Sequence, residues 1–500
     1  MARKSSIPDE VTRYIPCKCC RIQKNNGTYY VYKYSSVKLA DGTWSSDWGY
    51  CIGKIVPGTG FCPNKRYIKE LEEERGAQFS DSMTDAAYGQ YALLRVLTED
   101  ILERLRKCFP VKRAFQIYCY AMIMCANGFL YVDQIDEFYQ ESVLSLLYES
   151  LGFRMGYTAL SSLLKDLGQK GNPVRAFEQM LIDESSGRIA IDGHVIRSAS
   201  ESNDLSEAGY KYHELKESQV NLLIAYDAKR KKPLMYRTFR GSSLDKMSAV
   251  ELLRSRRFQD VKFIVDAGFY SEEMIEIMTQ DGNSYIIPRA KNCKEFKKIK
   301  DTLSYSSGEF VYRSGPKETA RIVFQEERID EKTRLIVFKD MDENNSKRKN
   351  YQMLMDLGEH NYTMEGYNKY CDWWGVMILQ TSTDEPAAEV FADYKSRWGI
   401  ETYNNYVKND VDFNGLKFQG YYEQRGFDFI MLVTGLMHSV LNDAVKKLGK
   451  SSVSTFDILV KAGHMRMVLE DGKWKLHNTR TKDIELLDQM GFIPEKVLSL

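Results

Sequence analysis

Neither sign of charge dominates this chain of 500 residues: 70 Lys and Arg face 69 Asp and Glu, for a net charge of +1. The global basic balance of a nucleic-acid binder is missing, so any contact with a polyanion has to come from local patches. Histidine is scarce, with six in all and none before His194. The C-x-C-C cluster of Cys17, Cys19 and Cys20, with Cys51 and Cys62 further on, therefore has no histidine nearby to complete a zinc site, and buried thiols are expected. The ten cysteines are scattered rather than arranged as the framework of a small secreted domain. The opening MARKSSIPDEV has basic residues but no apolar signal-peptide core, so a reducing cytoplasm is the expected compartment. Long apolar runs are equally few. Residues 114–132 are uncharged over 19 positions, about the length that spans a bilayer, but they include Gln116, Asn127 and Gly128 and stand alone. A buried helix is expected there, and no membrane partner. Internal repeats and low-complexity tracts are absent as well.

What is present is a globular composition, 43% hydrophobic and 28% charged, on a chain long enough for two to four domains. The 32 tyrosines suit half-buried strands and wet interfaces. Residues 1–75 read as a β-rich domain, with alternating TYYVYKYSSVKLADGTW and a turn at Asp41-Gly42. Residues 76–182 read as helical, with apolar residues at three-to-four spacing. From 183 to 289 the order is strand, strand, strand, helix, strand, helix, strand, which predicts a mixed α/β layered sheet. Ser271 is placed to N-cap the second of these helices and Gly282 to close it. Residues 290–375 read as a β-rich insertion (GEFVYRSG, ARIVFQEE, TRLIVFKD). Residues 376–445 return to a buried strand (VMILQTS), a helix bearing Glu401 and a buried helix from about 427, and 446–500 form a small tail.

The chemistry concentrates in three acids. Asp192 lies in the strand IAIDGHVI, and Asp266 ends the strand FIVDAGF. Carboxyl ends of strands line the functional crevice of open α/β sheets, so both are placed to be used. Glu401 lies in DYKSRWGIETYNNYVKND, where Tyr394, Arg397, Glu401 and Lys408 fall within about 60° of one another if the segment is one helix. Three hard oxygen donors suit Mg²⁺ or Mn²⁺, and two such ions can drive phosphodiester cleavage. Local basic patches are also present. Residues 227–262 hold eleven Lys or Arg against four acids, including the run Lys229, Arg230, Lys231 and Lys232. Residues 289–301 hold six against two, Lys291 among them. Such runs are placed to grip phosphates.

These residues resemble a DDE transposase of bacterial insertion sequences, in the insertion-sequence 4 superfamily. The family signature Y-x2-R-x3-E-x6-K is matched by Tyr394, Arg397, Glu401 and Lys408 at every spacing. Its Asp-Gly strand motif is matched by Asp192-Gly193, and its D-x-G-[FY] by Asp266-Ala267-Gly268-Phe269. The resemblance spans roughly residues 185–445. Two departures stand out: Ala267 occupies a position where many relatives carry Arg, and His194 one where many carry Thr or Ser.

The resemblance implies an α/β ribonuclease H-like catalytic domain with a β-rich insertion, plus N-terminal β-rich and helical DNA-binding regions. It implies that Asp192, Asp266 and Glu401 are catalytic and bind two Mg²⁺ (or Mn²⁺) ions per active site. Tyr394, Arg397 and Lys408 would contact phosphates near the cleaved end, and Trp373 and Trp374 would hold a flipped base. The partner would be double-stranded DNA, as terminal inverted repeats and as target, with a homodimer formed on DNA and a nucleoid-associated location in the cytoplasm. A nuclease of the same fold without strand transfer, and a catalytically silent DNA-binding descendant, are the alternative readings.

Overall fold

Strand-forming runs of Val, Ile and Tyr build three sheets among the described residues. The computed structural model describes residues 7–498 apart from 13, 17–19, 39–43, 57–59, 69, 71–83, 199, 201–202, 210–216, 244, 316–317, 410–419 and 451, and for 9–10, 35–38, 44–48, 245 and 404–409 it describes the backbone alone. The first sheet is antiparallel, with β1 (Cys20–Asn25), β2 (Thr28–Lys38), β3 (Trp44–Val56) and β4 (Gly60–Pro63) in sequence order. Val31, Ile52 and Ile55 form its core. The Asp41-Gly42 turn lies outside the described residues, as do Cys17 and Cys19. Cys20 is buried there, and Cys51 and Cys62 are half-buried free thiols.

After β5 (Asp85–Ala87), helices run from Gly89 to Asp183. The uncharged run forms helix Val111–Asn127, with Ile117, Tyr118, Tyr120 and Met122 fully buried. No helix among the described residues is long and apolar enough to cross a membrane. The long helix Tyr421–Lys447 packs across Val111–Asn127 and Tyr157–Gln169. Gly168 and Gly426 permit that crossing, because a Cβ on either would run into the backbone carbonyl of Tyr422 or Leu164.

The second sheet carries the site. Its strands are β6 (Arg188–Ser198), β7 (Glu207–Ala208), β8 (Ser218–Asp227), β9 (Lys232–Arg240), β10 (Lys262–Val265), β11 (Ser284–Pro288), β12 (Gly308–Arg313), β13 (Thr319–Arg328), β14 (Arg334–Asp340) and β15 (Val376–Thr381). The order β9-β8-β6-β10-β11 forms one half. Here β6, β10 and β11 run parallel and β8 runs antiparallel to both neighbours. Fully buried Ile191, Leu223, Ile224, Ile264 and Val265 account for the unbroken apolar runs in these strands.

The segment read as a β-rich insertion does two things the sequence pattern did not suggest. Its strands extend the same sheet, in the order β12-β13-β14-β15-β11. Its polar stretch Met341–Asp356 is a helix, N-capped by Asp340, which accepts from Glu343 N at 2.8 Å. Ser271 caps its helix as expected, accepting from Met274 N at 3.2 Å. In the tail, β16 (Arg466–Glu470) pairs with β17 (Lys473–His477) and reaches back to β5, so the last residues are tied to the start of the helical block.

Candidate active site

Asp192 and Asp266 sit side by side because β6 and β10 are parallel neighbours in register. Ile191 pairs with Val265, and each acid follows directly. Asp192 Oδ1 accepts from its own neighbour Gly193 N at 3.0 Å. Asp266 ends its strand and caps a single 3₁₀ turn, Ala267–Phe269, accepting from Ala267 N at 2.9 Å. Asp192 is half-buried, whereas Asp266 is exposed at the end of the sheet.

The third acid arrives on a helix laid over this sheet face. The expected single helix is broken: helix Ala387–Ser396 ends at Arg397, and helix Trp398–Asn409 begins after it. At the break the backbone tightens, with Arg397 N bonding Tyr394 O at 3.1 Å and Ile400 N bonding Arg397 O at 2.9 Å. The second helix is seated by fully buried Ile400 and by Tyr403. The Tyr403 ring packs on Tyr226 at 5.3 Å, and its hydroxyl meets that of Tyr236. Tyr236 lies on the same cross-strand line as Asp192, through Ile224.

Electrostatics tie the groups into one cluster. Burial raises the Asp192 carboxyl above the usual carboxylate range; Arg397 opposes the shift, and Glu401 and Asp266 add to it. Burial works against the Arg397 charge, but Tyr394, Asp266 and Glu401 outweigh it, and the guanidinium is held more firmly than usual. Burial likewise raises the Tyr394 phenol, which feels Arg397, Asp266 and Glu401. Asp192, Asp266, Glu401, Tyr394 and Arg397 are thus brought together. Lys408 lies on the helix, but its side chain is outside the described residues.

Glu401 is committed to a neighbour: its Oε1 accepts from Arg397 Nη2 at 2.6 Å. Arg397 Nε is buried with no hydrogen-bond partner among the described residues. The three acids offer the hard oxygen donors that a Mg²⁺ or Mn²⁺ ion takes. No group of three or more His, Cys, Asp or Glu among the described residues is gathered tightly enough to hold an ion. The donor chemistry fits a divalent metal, while the three acids as they stand do not close around one.

The basic runs divide. The Lys229–Lys232 turn joins β8 to β9, and Asp227 pairs with Ile189 at the start of β6. That is the end of the sheet opposite the carboxyl end of β10, so these four residues are not brought to the acids. Asp227 sets this turn by accepting from Lys229 N, Arg230 N and Ser186. Much of the remaining basic stretch is spent on ion pairs, such as Arg256–Glu178, Arg240–Glu207 and Arg254–Glu273. Lys291 follows β11 at the same end as Asp266. It lines an open pocket of about 280 Å³ with Lys347, Lys395, Trp373, Trp374 and Phe391, and Asp340 and Glu343 also border it. Burial, with Lys347 nearby, pulls the Lys291 pKa down. Trp373 stands edge-on to Phe296 at 5.8 Å, and Trp374 packs on Tyr351 at 5.2 Å, so both rings are half-buried.

Arg289, one of the six cations of the 289–301 run, is already engaged at this end: it lies 3.4 Å over the Tyr270 ring and pairs with Glu295 at 2.9 Å.

Fold and site together define a mixed α/β protein with two neighbouring aspartates at paired parallel strands and a glutamate on a helix beside them. Residues 184–437, about half of the chain, match the family model of the transposase DDE domain, and the chain belongs to that family. The matched span includes all three acids and the Tyr394–Lys408 signature. The cryo-EM structure of the piggyBac transposase synaptic complex with hairpin DNA is similar at 12% identity and a TM-score of 0.38, over 77% of this chain and 80% of that one, a likeness too slight to carry a conclusion. No curated protein matches the chain.

Proposed function

We propose that this protein is a DNA transposase that binds terminal inverted repeats, cleaves the element ends and joins them to target DNA. The observation that carries this reading is the in-register pair Asp192 and Asp266 facing Glu401 and Arg397 across one sheet face. The strand order β9-β8-β6-β10-β11, with only β8 antiparallel, supports a ribonuclease H-like core.

In this mechanism Asp192, Asp266 and Glu401 would hold two Mg²⁺ or Mn²⁺ ions. The chemistry such ions supply is activation of a water and stabilisation of the leaving oxygen. Asp192 has to be ionised to ligate, and Arg397 favours that form. Arg397, whose buried Nε has no hydrogen-bond partner among the described residues, would meet a phosphate oxygen, and Glu401 would serve as the third carboxylate ligand. Tyr394 orients the same phosphate, and Lys408 neutralises the next. Water adds to phosphorus as the bond to the 3′-oxygen breaks, leaving a 3′-hydroxyl. That hydroxyl then attacks a phosphodiester of the opposite strand or target, one P–O bond forming as another breaks.

Lys291 and its pocket neighbours are the basic patch on the acid side of the sheet, and Trp373 is placed there to stack on a displaced base. The Lys229–Lys232 turn serves at most a remote phosphate. The helical block recognises the repeat, and synapsis of two ends makes the DNA-bound form a homodimer. The test is incubation with end-labelled element DNA and a target plasmid in Mg²⁺ or Mn²⁺. Joined products are expected; cleavage without joining would make the protein a nuclease, and binding without cleavage a silent descendant.

A further inference from the structure

A buried ion cluster lies under the Glu401 segment at the level opposite the acids. Arg188 and Lys262 are register partners on β6 and β10, each four residues before a strand acid: Arg188 before Asp192, Lys262 before Asp266. Even spacing puts each cation and its acid on the same sheet face. Both cations reach one carboxylate. Arg188 Nε donates to Asp393 Oδ1 at 2.7 Å, and Lys262 Nζ to Asp393 Oδ2 at 2.7 Å. Lys262 also binds Glu385, just before the helix begins. Asp393 is one turn before Arg397 and two before Glu401.

We infer that Asp393, gripped by Arg188 and Lys262, is a positioning residue that sets the register of the Glu401 segment on the two Asp-bearing strands. The lengths match. Four residues of strand from Arg188 to Asp192 advance about 13 Å. The eight residues from Asp393 to Glu401, four on each side of the break at Arg397, follow a helical path of about 12 Å. Pinning Asp393 at the level of Arg188 and Lys262 therefore delivers Glu401 to the level of Asp192 and Asp266. The pin ties Asp393 to two strands, and Lys262 also holds Glu385 eight residues earlier, so the segment is held at two points along its length. A purely stabilising role fits the cluster less well. Lys262 and Asp393 side chains are only 8% and 12% exposed, and taking such charges out of water largely cancels their attraction. The helix also already has an apolar anchor in buried Val390 and Phe391.

The inference rests on the transposase reading for its functional consequence, but its structural part is tested without DNA. Asp393→Asn keeps the shape and removes the charge; Asp393→Glu keeps the charge and lengthens the arm. Arg188→Gln, at the half-exposed end of the cluster, serves if Asp393→Asn fails to fold. Hydrogen exchange in the full-length protein reads the amides of residues 397–403 against those of β6 and β10, and MnCl₂ titration reads metal affinity. With element DNA, single-turnover cleavage and binding in EDTA are measured separately.

In Asp393→Asn, exchange at 397–403 should rise at least tenfold with the strands unchanged. The half-saturating Mn²⁺ concentration should rise about fivefold or more and cleavage fall tenfold or more, with DNA affinity within twofold. Asp393→Glu should recover part of each. Native-like local exchange in a folded variant, or lost cleavage with unchanged Mn²⁺ half-saturation, would overturn the inference. If the native protein neither cleaves nor binds Mn²⁺, the transposase reading fails, and the exchange comparison alone still decides the clamp.

Discussion

Replacing Arg397 by Met probes the cluster at its centre. Met keeps much of the packing of the arginine stem and removes the charge. Two costs follow. The first is the pair with Glu401, in which the Arg397 side chain is 11% exposed and that of Glu401 32%. A carboxylate that wet places the pair near the exposed limit, about 0.5–1 kcal/mol. The second is repulsion among Asp192, Asp266 and Glu401, which then lack a shared cation. Two like charges about 6 Å apart repel by roughly 3 kcal/mol at an effective dielectric of 20. Proton uptake by Asp192, already raised by burial, relieves most of it. A net loss of about 1–2 kcal/mol at neutral pH is expected, a drop of about 1–2 °C in Tm for a chain of this length. Asp192 neutralises as pH falls through its raised value, so the difference from the native protein should shrink as the pH is lowered. A divalent ion supplies the missing positive charge and no longer competes with Arg397 for Glu401. Thermal unfolding with and without excess MnCl₂ should therefore show a larger Mn²⁺-induced rise in Tm for Arg397→Met than for the native chain. Cleavage should still fall at least tenfold, because the phosphate loses its guanidinium. An unchanged Tm without metal, together with a Mn²⁺ effect no larger than native, would refute the reasoning.

Three further outcomes are expected. Burial, reinforced by Glu401 and Asp266, raises the Asp192 pKa, so cleavage should increase with pH, with a midpoint above the ordinary carboxylate range; a flat profile from pH 5 to 8 contradicts this. The same group removes stability as pH climbs from its ordinary to its raised value. Arg256→Leu strands Glu178, whose side chain is 3% exposed against 4% for its partner, and should cost about 3–5 kcal/mol in urea unfolding; a cost below 1 would show that Arg237 alone suffices. Lys291→Ala with Lys347→Ala should reduce the slope of log affinity against log salt by about two, whereas alanines at Lys229 and Lys231 should reduce it by less than one; equal effects would argue against the pocket beside Trp373 as the phosphate contact.

The sequence was most readable where chemistry is local. Ser271 announced its helix, and the apolar runs at 189–191 and 263–265 announced buried strands. What stayed hidden depends on partners far along the chain. Nothing in TRLIVFKD says that it extends the main sheet through β15, because edge pairing is decided by register and not by composition. The helix break at Arg397 shows i→i+3 bonding next to Gly399, a weak signal inside an otherwise helical pattern. The basic turn at 229–232 is a strong charge signal, yet its position at the far end of the sheet follows from strand direction, which composition does not encode. Asp393, Arg188 and Lys262 each read as ordinary polar residues until the strands align.

The central claim is that Asp192, Asp266 and Glu401 act as one site on DNA. Single-turnover cleavage of labelled element ends by Asp192→Asn, Asp266→Asn and Glu401→Gln tests it most directly, with DNA affinity measured in parallel. Each variant should bind DNA within about threefold of native and cleave at least a thousandfold more slowly, as expected when charge stabilisation at the reacting phosphate is lost. Any one of the three that still cleaves within tenfold of the native rate would contradict the account.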